Sequence, residues 1–120
     1  MRRSVLIVDD DPVFLSLAAR ILGQAGLEVV ATAGDAADAV AAANTTRPAA
    51  VLVDLGLPDR AGADLAYELA SLPWRPRVVL TSTDSDAGWA IEAPDGHPKL
   101  PFIPKDEVAN GRLPRLLTSQ

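Results

Sequence analysis

Five short apolar runs divide the chain, each closed by polar or turn-forming residues: Ser4 to Val8, Leu27 to Ala31, Ala49 to Val53, Val78 to Leu80 and Leu100 to Ile103. Ser4 to Val8 and Ala49 to Val53 show no apolar–polar alternation, the mark of strands covered on both faces. Between the runs the period changes to a helical one. Phe14, Leu15, Ala18, Ile21, Leu22 and Ala25 recur at helical spacing after Pro12, whose missing N–H is harmless in a first turn, and Gly26 is a fitting left-handed end. Asp35 to Ala43 is alanine-rich and predicts a second helix, broken by Thr45, Thr46 and Pro48. Ala63 to Ser71 predicts a third, with Leu65, Ala66 and Leu69 inward, followed by a rigid Pro73–Pro76 connector.

The remainder is less regular. Asp84 to Ala93 has room for a helix that Gly88 weakens, and the next eight residues hold three prolines and a glycine. Pro101 makes the fifth run a poor central strand and suits an edge. A last helix capped by Asn110 puts Pro114 near the tolerated first turn, whereas a start at Asp106 buries that proline mid-helix at roughly 3 kcal/mol. Strands alternating with helices through right-handed crossovers give a (βα)5 unit, an α/β fold with a five-stranded parallel sheet and helices on both faces. Residues 1–120 are read as one domain. Area scaling for 12.6 kDa buries about two-thirds of the chain's surface, enough for a core without staples.

Composition narrows the chemistry. There is no cysteine, so disulfides and thiolate metal sites are out; cytosolic residence agrees with this. The net charge of −5 comes with no basic stripe, and two tryptophans and one tyrosine offer little for base stacking, so direct nucleic-acid binding is not expected. No stretch reaches membrane-span length.

The strand ends carry the chemistry. Asp9, Asp10 and Asp11 close the first apolar run, and Asp54 closes the third. In a parallel sheet these ends meet on one edge, where such folds keep their sites. An aspartate triplet alone also reads as a solvated helix start, and Asp11 before Pro12 fits that. A further carboxylate at another strand end favours a divalent cation, because crowded carboxylates repel unless a cation intervenes. Mg²⁺ is the natural candidate, with Asp10, Asp54 and the Gly56 carbonyl as ligands and Asp9 holding bound water or ligating directly. Asp54 is then placed to attack phosphorus as a nucleophile. Lys105 supplies positive charge to the phosphoryl oxygens, and the Thr81 hydroxyl donates to another. Taken singly, Thr81 reads as a strand-end cap and Lys105 as a surface lysine.

These segments resemble the receiver domain of bacterial two-component response regulators: VLIVDDDPVF the opening strand and acidic pair, VLVDLGLPDRAGADLAYEL the phosphorylation segment, VVLTSTD the fourth strand, FIPKDEV the closing lysine motif. The resemblance implies a doubly wound, flavodoxin-like topology. It implies Asp9 and Asp10 as the metal-binding pair, Asp54 as phosphoacceptor, Thr81 and Phe102 as switch residues, and Lys105 as phosphate-binding lysine. It further implies Mg²⁺ as cofactor, cytoplasmic residence, and a histidine kinase or phosphotransfer protein as donor. Such a domain catalyses its own phosphorylation yet is classed as a signalling protein, not an enzyme. It acts on an output domain or downstream protein, and homodimerisation through the fourth and fifth units is left open.

There are departures. The family's well-formed fourth helix is replaced here by GWAIEAPDGHPKLP, on the usual output face. Ser82 stands where a smaller residue is usual. Asp106 replaces the common proline after the lysine, which predicts a trans bond there. Trp89 is a potential reporter of switching, Trp74 reads as loop packing and His97 as a loop side chain. The alternatives are an interaction module that works without phosphorylation through its altered fourth-helix region, and an aspartyl hydrolase, which the lack of a cap insertion disfavours.

Overall fold

The computed structural model describes residues 2–118, the side chain of Trp89 excepted. Its five strands are β1 (Ser4–Val8), β2 (Glu28–Ala33), β3 (Ala50–Asp54), β4 (Arg77–Ser82) and β5 (Phe102–Pro104), all parallel, in the order β2-β1-β3-β4-β5. The helices are α1 (Pro12–Gln24), α2 (Ala36–Thr46), α3 (Gly62–Ala70) and α4 (Arg112–Thr118).

Alternate residues of the strands face opposite layers. Val5, Ile7, Ala50, Leu52, Val79 and Ile103 pack with α1 and α4. Leu6, Val8, Val51, Val53, Val78 and Leu80 pack with α2 and α3. Every residue of β3 is buried, as its place at the centre of the sheet demands. β5 is an edge strand, as Pro101 implies, although it starts two residues later than the apolar run. β2, the other edge, runs on to Ala33, and an irregular register opposite Val5 and Leu6 accommodates its extra residue.

Three elements differ from expectation. α2 continues through Thr45 and Thr46, whose hydroxyls bond back to the carbonyls of Ala41 and Ala42, as the Asn44 side chain does to Val40, and so stay within the helix. It ends at Arg47, in the left-handed conformation. The expected helix over 84–93 shrinks to one 3₁₀ turn, Ala87–Ala90, and 91–101 crosses as an extended strap with a single turn near Asp95 and Gly96. That strap is tied to α3: the amide of Leu100 donates to Tyr67 Oη at 3.2 Å, and His97 meets the Tyr67 ring edge-on. Finally, Lys105–Asn110 forms a 3₁₀ segment before α4, left-handed Gly111 separates the two, and Asn110 Oδ1 caps Arg112 as its type predicts. No peptide bond among the described residues is cis, Lys105–Asp106 included.

Candidate functional site

The carboxyl edge of the sheet gathers the residues singled out in the sequence. Asp9 follows β1 directly and is fully buried, its amide donating to the Ala33 carbonyl of β2. Asp9 Oδ1 accepts from the Asp11 amide, and Asp11 in turn caps α1 by accepting from Val13. Asp54 ends β3, 6% exposed, paired in register with Thr81 of β4. Asp10 is exposed at the rim. One carboxylate oxygen from each of Asp9, Asp10 and Asp54 lies within 4.8 Å of the others.

Lys105 enters this group from the end of β5. Its Nζ is 2.6 Å from Asp9 Oδ2 and 3.7 Å from Asp54 Oδ1. The ammonium also lies 4.5 Å from the centre of the Phe14 ring, so α1 supplies an aromatic floor for the charge. The 2.6 Å approach is an ion pair without hydrogen-bond alignment: Asp9 Oδ2 is buried with no hydrogen-bond donor. Three carboxylates therefore face one ammonium. Burial, then the nearby charge of Asp9, push the Asp54 carboxyl above its ordinary value of 3.8, against the opposing pull of Lys105 and the Gly56 amide. Hard oxygen donors and an excess of negative charge over the single ammonium fit a divalent cation.

The loop after Asp54 is shaped by two residues whose roles the sequence left unmarked. A side chain at Gly62 would overlap the backbone of Asp54 and Leu55, so only glycine lets α3 start this close to the phosphoacceptor candidate. Asp59 reaches across to α2, its Oδ1 accepting from Ala36 at 2.9 Å and its Oδ2 from Ala37 at 3.2 Å. Asp35 accepts from Asp38 with its side chain, so the free amides of Ala36, Ala37 and Asp38 in the first turn are all satisfied. The amide of Ala36, foremost, holds the Asp59 carboxyl below its ordinary range. An acidic residue three before a loop glycine carries no sequence signal for such a long-range cap.

The two switch candidates are held by partners other than Asp54. Thr81 is fully buried, and its hydroxyl donates to the Ile103 carbonyl at 2.7 Å. Phe102 is half-buried on the α2–α3 side, its ring against Gly88 so closely that a Cβ there would overlap it. The Ser82 hydroxyl accepts from the Asp84 amide and is spent on the turn after β4.

Comparison with known proteins gives the same picture over nearly the whole chain. A family profile described as a response regulator receiver domain matches residues 5–105. The chain is 36% identical over 115 residues to the DNA-binding response regulator MtrA of Mycolicibacterium smegmatis, covering 93% of this chain and 50% of that protein. It is 40% identical over 83 residues to the probable transcriptional regulatory protein TcrX of Mycobacterium tuberculosis, covering 68% and 35%. It thus spans half or less of the length of these relatives. Among solved structures, the signal receiver domain of the response regulator NarL from Mycobacterium tuberculosis superposes with a TM-score of 0.77 at 25% identity, covering 96% of each chain. With profile, relatives and fold in agreement, this chain belongs to the response regulator receiver domain family.

Proposed function

We propose that this chain, as one domain over its 120 residues, is a cytoplasmic phosphoacceptor that takes a phosphoryl group onto Asp54 from a histidine kinase or phosphotransfer protein. The observation that carries the reading is the convergence of Asp9, Asp10, Asp54 and Lys105 at one sheet edge. An Asp54 carboxylate oxygen attacks phosphorus, the bond from phosphorus to the donor's imidazole nitrogen breaks, and an acyl phosphate results. Lys105 is within reach of the new phosphoryl oxygens and gives up part of its pairing with Asp9 to meet them. Asp10, Asp54 and the Gly56 carbonyl would hold Mg²⁺, with Asp9 ligating or holding its water. The bound cation neutralises charge on the transferring oxygens. Water later attacks phosphorus, releasing orthophosphate and restoring the carboxylate. In this role the chain is a signal carrier rather than a turnover enzyme.

Val13, 76% exposed, and Leu17 stand on the first turns of α1, after the acidic cluster, and would give a protein donor an apolar foothold there. Downstream, the chain would act on an output domain or a separate protein, as monomer or homodimer, without itself contacting nucleic acid. Intact mass after incubation with acetyl phosphate or phosphoramidate tests the reading. A Mg²⁺-dependent gain of one phosphoryl group, absent in Asp54→Asn, is expected; no gain in folded protein overturns it. The reduction of the fourth helix to one turn favours a second reading, an interaction module that works unphosphorylated, and the no-gain outcome selects it.

A further inference from the structure

The two edges of the sheet carry opposite charge. Asp9, Asp10, Asp54 and Asp84 end or follow strands, with Lys105 among them, whereas Arg2, Arg3, Arg47, Arg75 and Arg77, with Glu28, lie where the chain enters β1 to β4, so the balance is acidic at one edge and basic at the other. At this basic edge is a cavity of about 390 Å³ whose lining includes Arg3, Arg75, Arg77, Val78, Pro98 and Leu100, and no acidic residue. Pro98 and Leu100 belong to the strap that stands in for a fourth helix, so one wall of the cavity comes from this chain's departure from its family.

Among the described residues none of the three arginines forms an ion pair. Arg77 Nε donates to the Leu116 carbonyl of α4 at 3.0 Å, which holds that guanidinium on the sheet face opposite Val78 and leaves Arg3 and Arg75 as the cations of the cavity. Arg75 has a φ of 50°, a left-handed backbone that a long side chain adopts only when its surroundings enforce it. They do so here. The Arg75 amide donates to the Leu72 carbonyl at 2.8 Å. The Trp74 indole N–H donates to the Pro48 carbonyl at 2.9 Å, with the Arg47 guanidinium 4.5 Å from its ring centre. The connector is thus locked with Arg75 lining the cavity.

We propose that this cavity binds a phosphate monoester. The uncompensated guanidinium groups of Arg3 and Arg75 call for more than one negative charge, and a phosphate dianion accepts paired N–H bonds from two arginines at once. The apolar part of the ester would lie against Val78, Pro98 and Leu100. The volume is near the lower limit for small-molecule sites and suits a compact ester rather than a polymer. Five residues of β3 separate this edge from Asp54, about 15 Å, so the site is distinct from the carboxylate cluster.

Phenyl phosphate, titrated into Asp54→Asn protein without Mg²⁺ and followed by amide NMR shifts, tests this without phosphoryl transfer. Saturable shifts at Arg3, Ala49 and Val78 are expected, with tighter binding than inorganic phosphate. Arg75→Gly, which suits the left-handed backbone, and Arg3→Ala should each weaken binding about tenfold. Unchanged affinity in both variants, equal affinity for inorganic phosphate, shifts confined to the Asp10–Lys105 edge, or no shift up to ~10 mM would each overturn the proposal.

Discussion

Asp59 accepts a hydrogen bond from the Ala36 amide 23 positions earlier, tying the loop after Asp54 to the first turn of α2. The link closes a circuit. Asp9 is held by Ala33 of β2, the chain passes through Asp35 into α2, α2 is held by Asp59, and the Asp59 loop leads back to Gly56 and Asp54. Asp59→Ala should lower the melting temperature by a few degrees and weaken Mg²⁺ binding measured by calorimetry. Since Asp59 is held below its ordinary 3.8, its contribution is present above that pH and lost as pH falls through the lower folded value. Acid unfolding curves of wild type and variant should therefore converge at low pH.

The sign is opposite at Asp54. Its folded carboxyl titrates above 3.8, so the native state holds its proton longer than the unfolded chain, and stability falls as pH rises through the folded value. Without a divalent cation, Asp54→Asn should raise the melting temperature at neutral pH by a few degrees, an advantage that vanishes in acid. Thermal scans with a chelator across pH 3–7 check this. A variant less stable than wild type at neutral pH contradicts the assigned strain.

Lys105 balances Asp9, which is wholly buried. Lys105→Ala leaves two buried carboxylates facing each other and should cost about 3 kcal/mol by denaturant unfolding. Millimolar Mg²⁺ should recover more stability in the variant than in wild type, because the cation replaces the missing charge. Equal Mg²⁺ effects in the two proteins contradict this.

Gly88 and Phe102 fit together as plate and ring. Gly88→Ala must displace the ring, at about 1–3 kcal/mol as overpacking. The aromatic resonances of Phe102 should move. If Thr81 and Phe102 switch together, protection of amides around Ile103 should fall too, because the Thr81 hydroxyl leaves its carbonyl. Hydrogen exchange on wild type and variant reads this directly.

The central strands were legible because burial on both faces leaves an uninterrupted apolar run, as in Val5–Val8 and Ala50–Val53. The carboxylates and Lys105 were legible because strand ends in a parallel sheet share one edge. What escaped depends on side chains reaching distant backbone. Thr45 and Thr46 look like helix breakers until their hydroxyls find Ala41 and Ala42. Asp59 looks like a turn residue until it caps α2. Thr81 was placed at the right strand end, but its hydroxyl is engaged by Ile103, a choice of rotamer that no spacing encodes.

The strap over 91–101 has a mechanical consequence. A helix moves as a rod, so a push at one end tilts the other, but an extended segment with several prolines transmits no torque. Its holds on the body include Ile91 and Leu100 against the core, Leu100 on the Tyr67 hydroxyl, His97 on the Tyr67 ring and the Pro101 carbonyl on the Leu80 amide. If Thr81 and Phe102 switch as the family resemblance implies, the change would reach the surface here by loosening or tightening those holds, so this face would report its state as slack or taut chain rather than as a shifted helix axis.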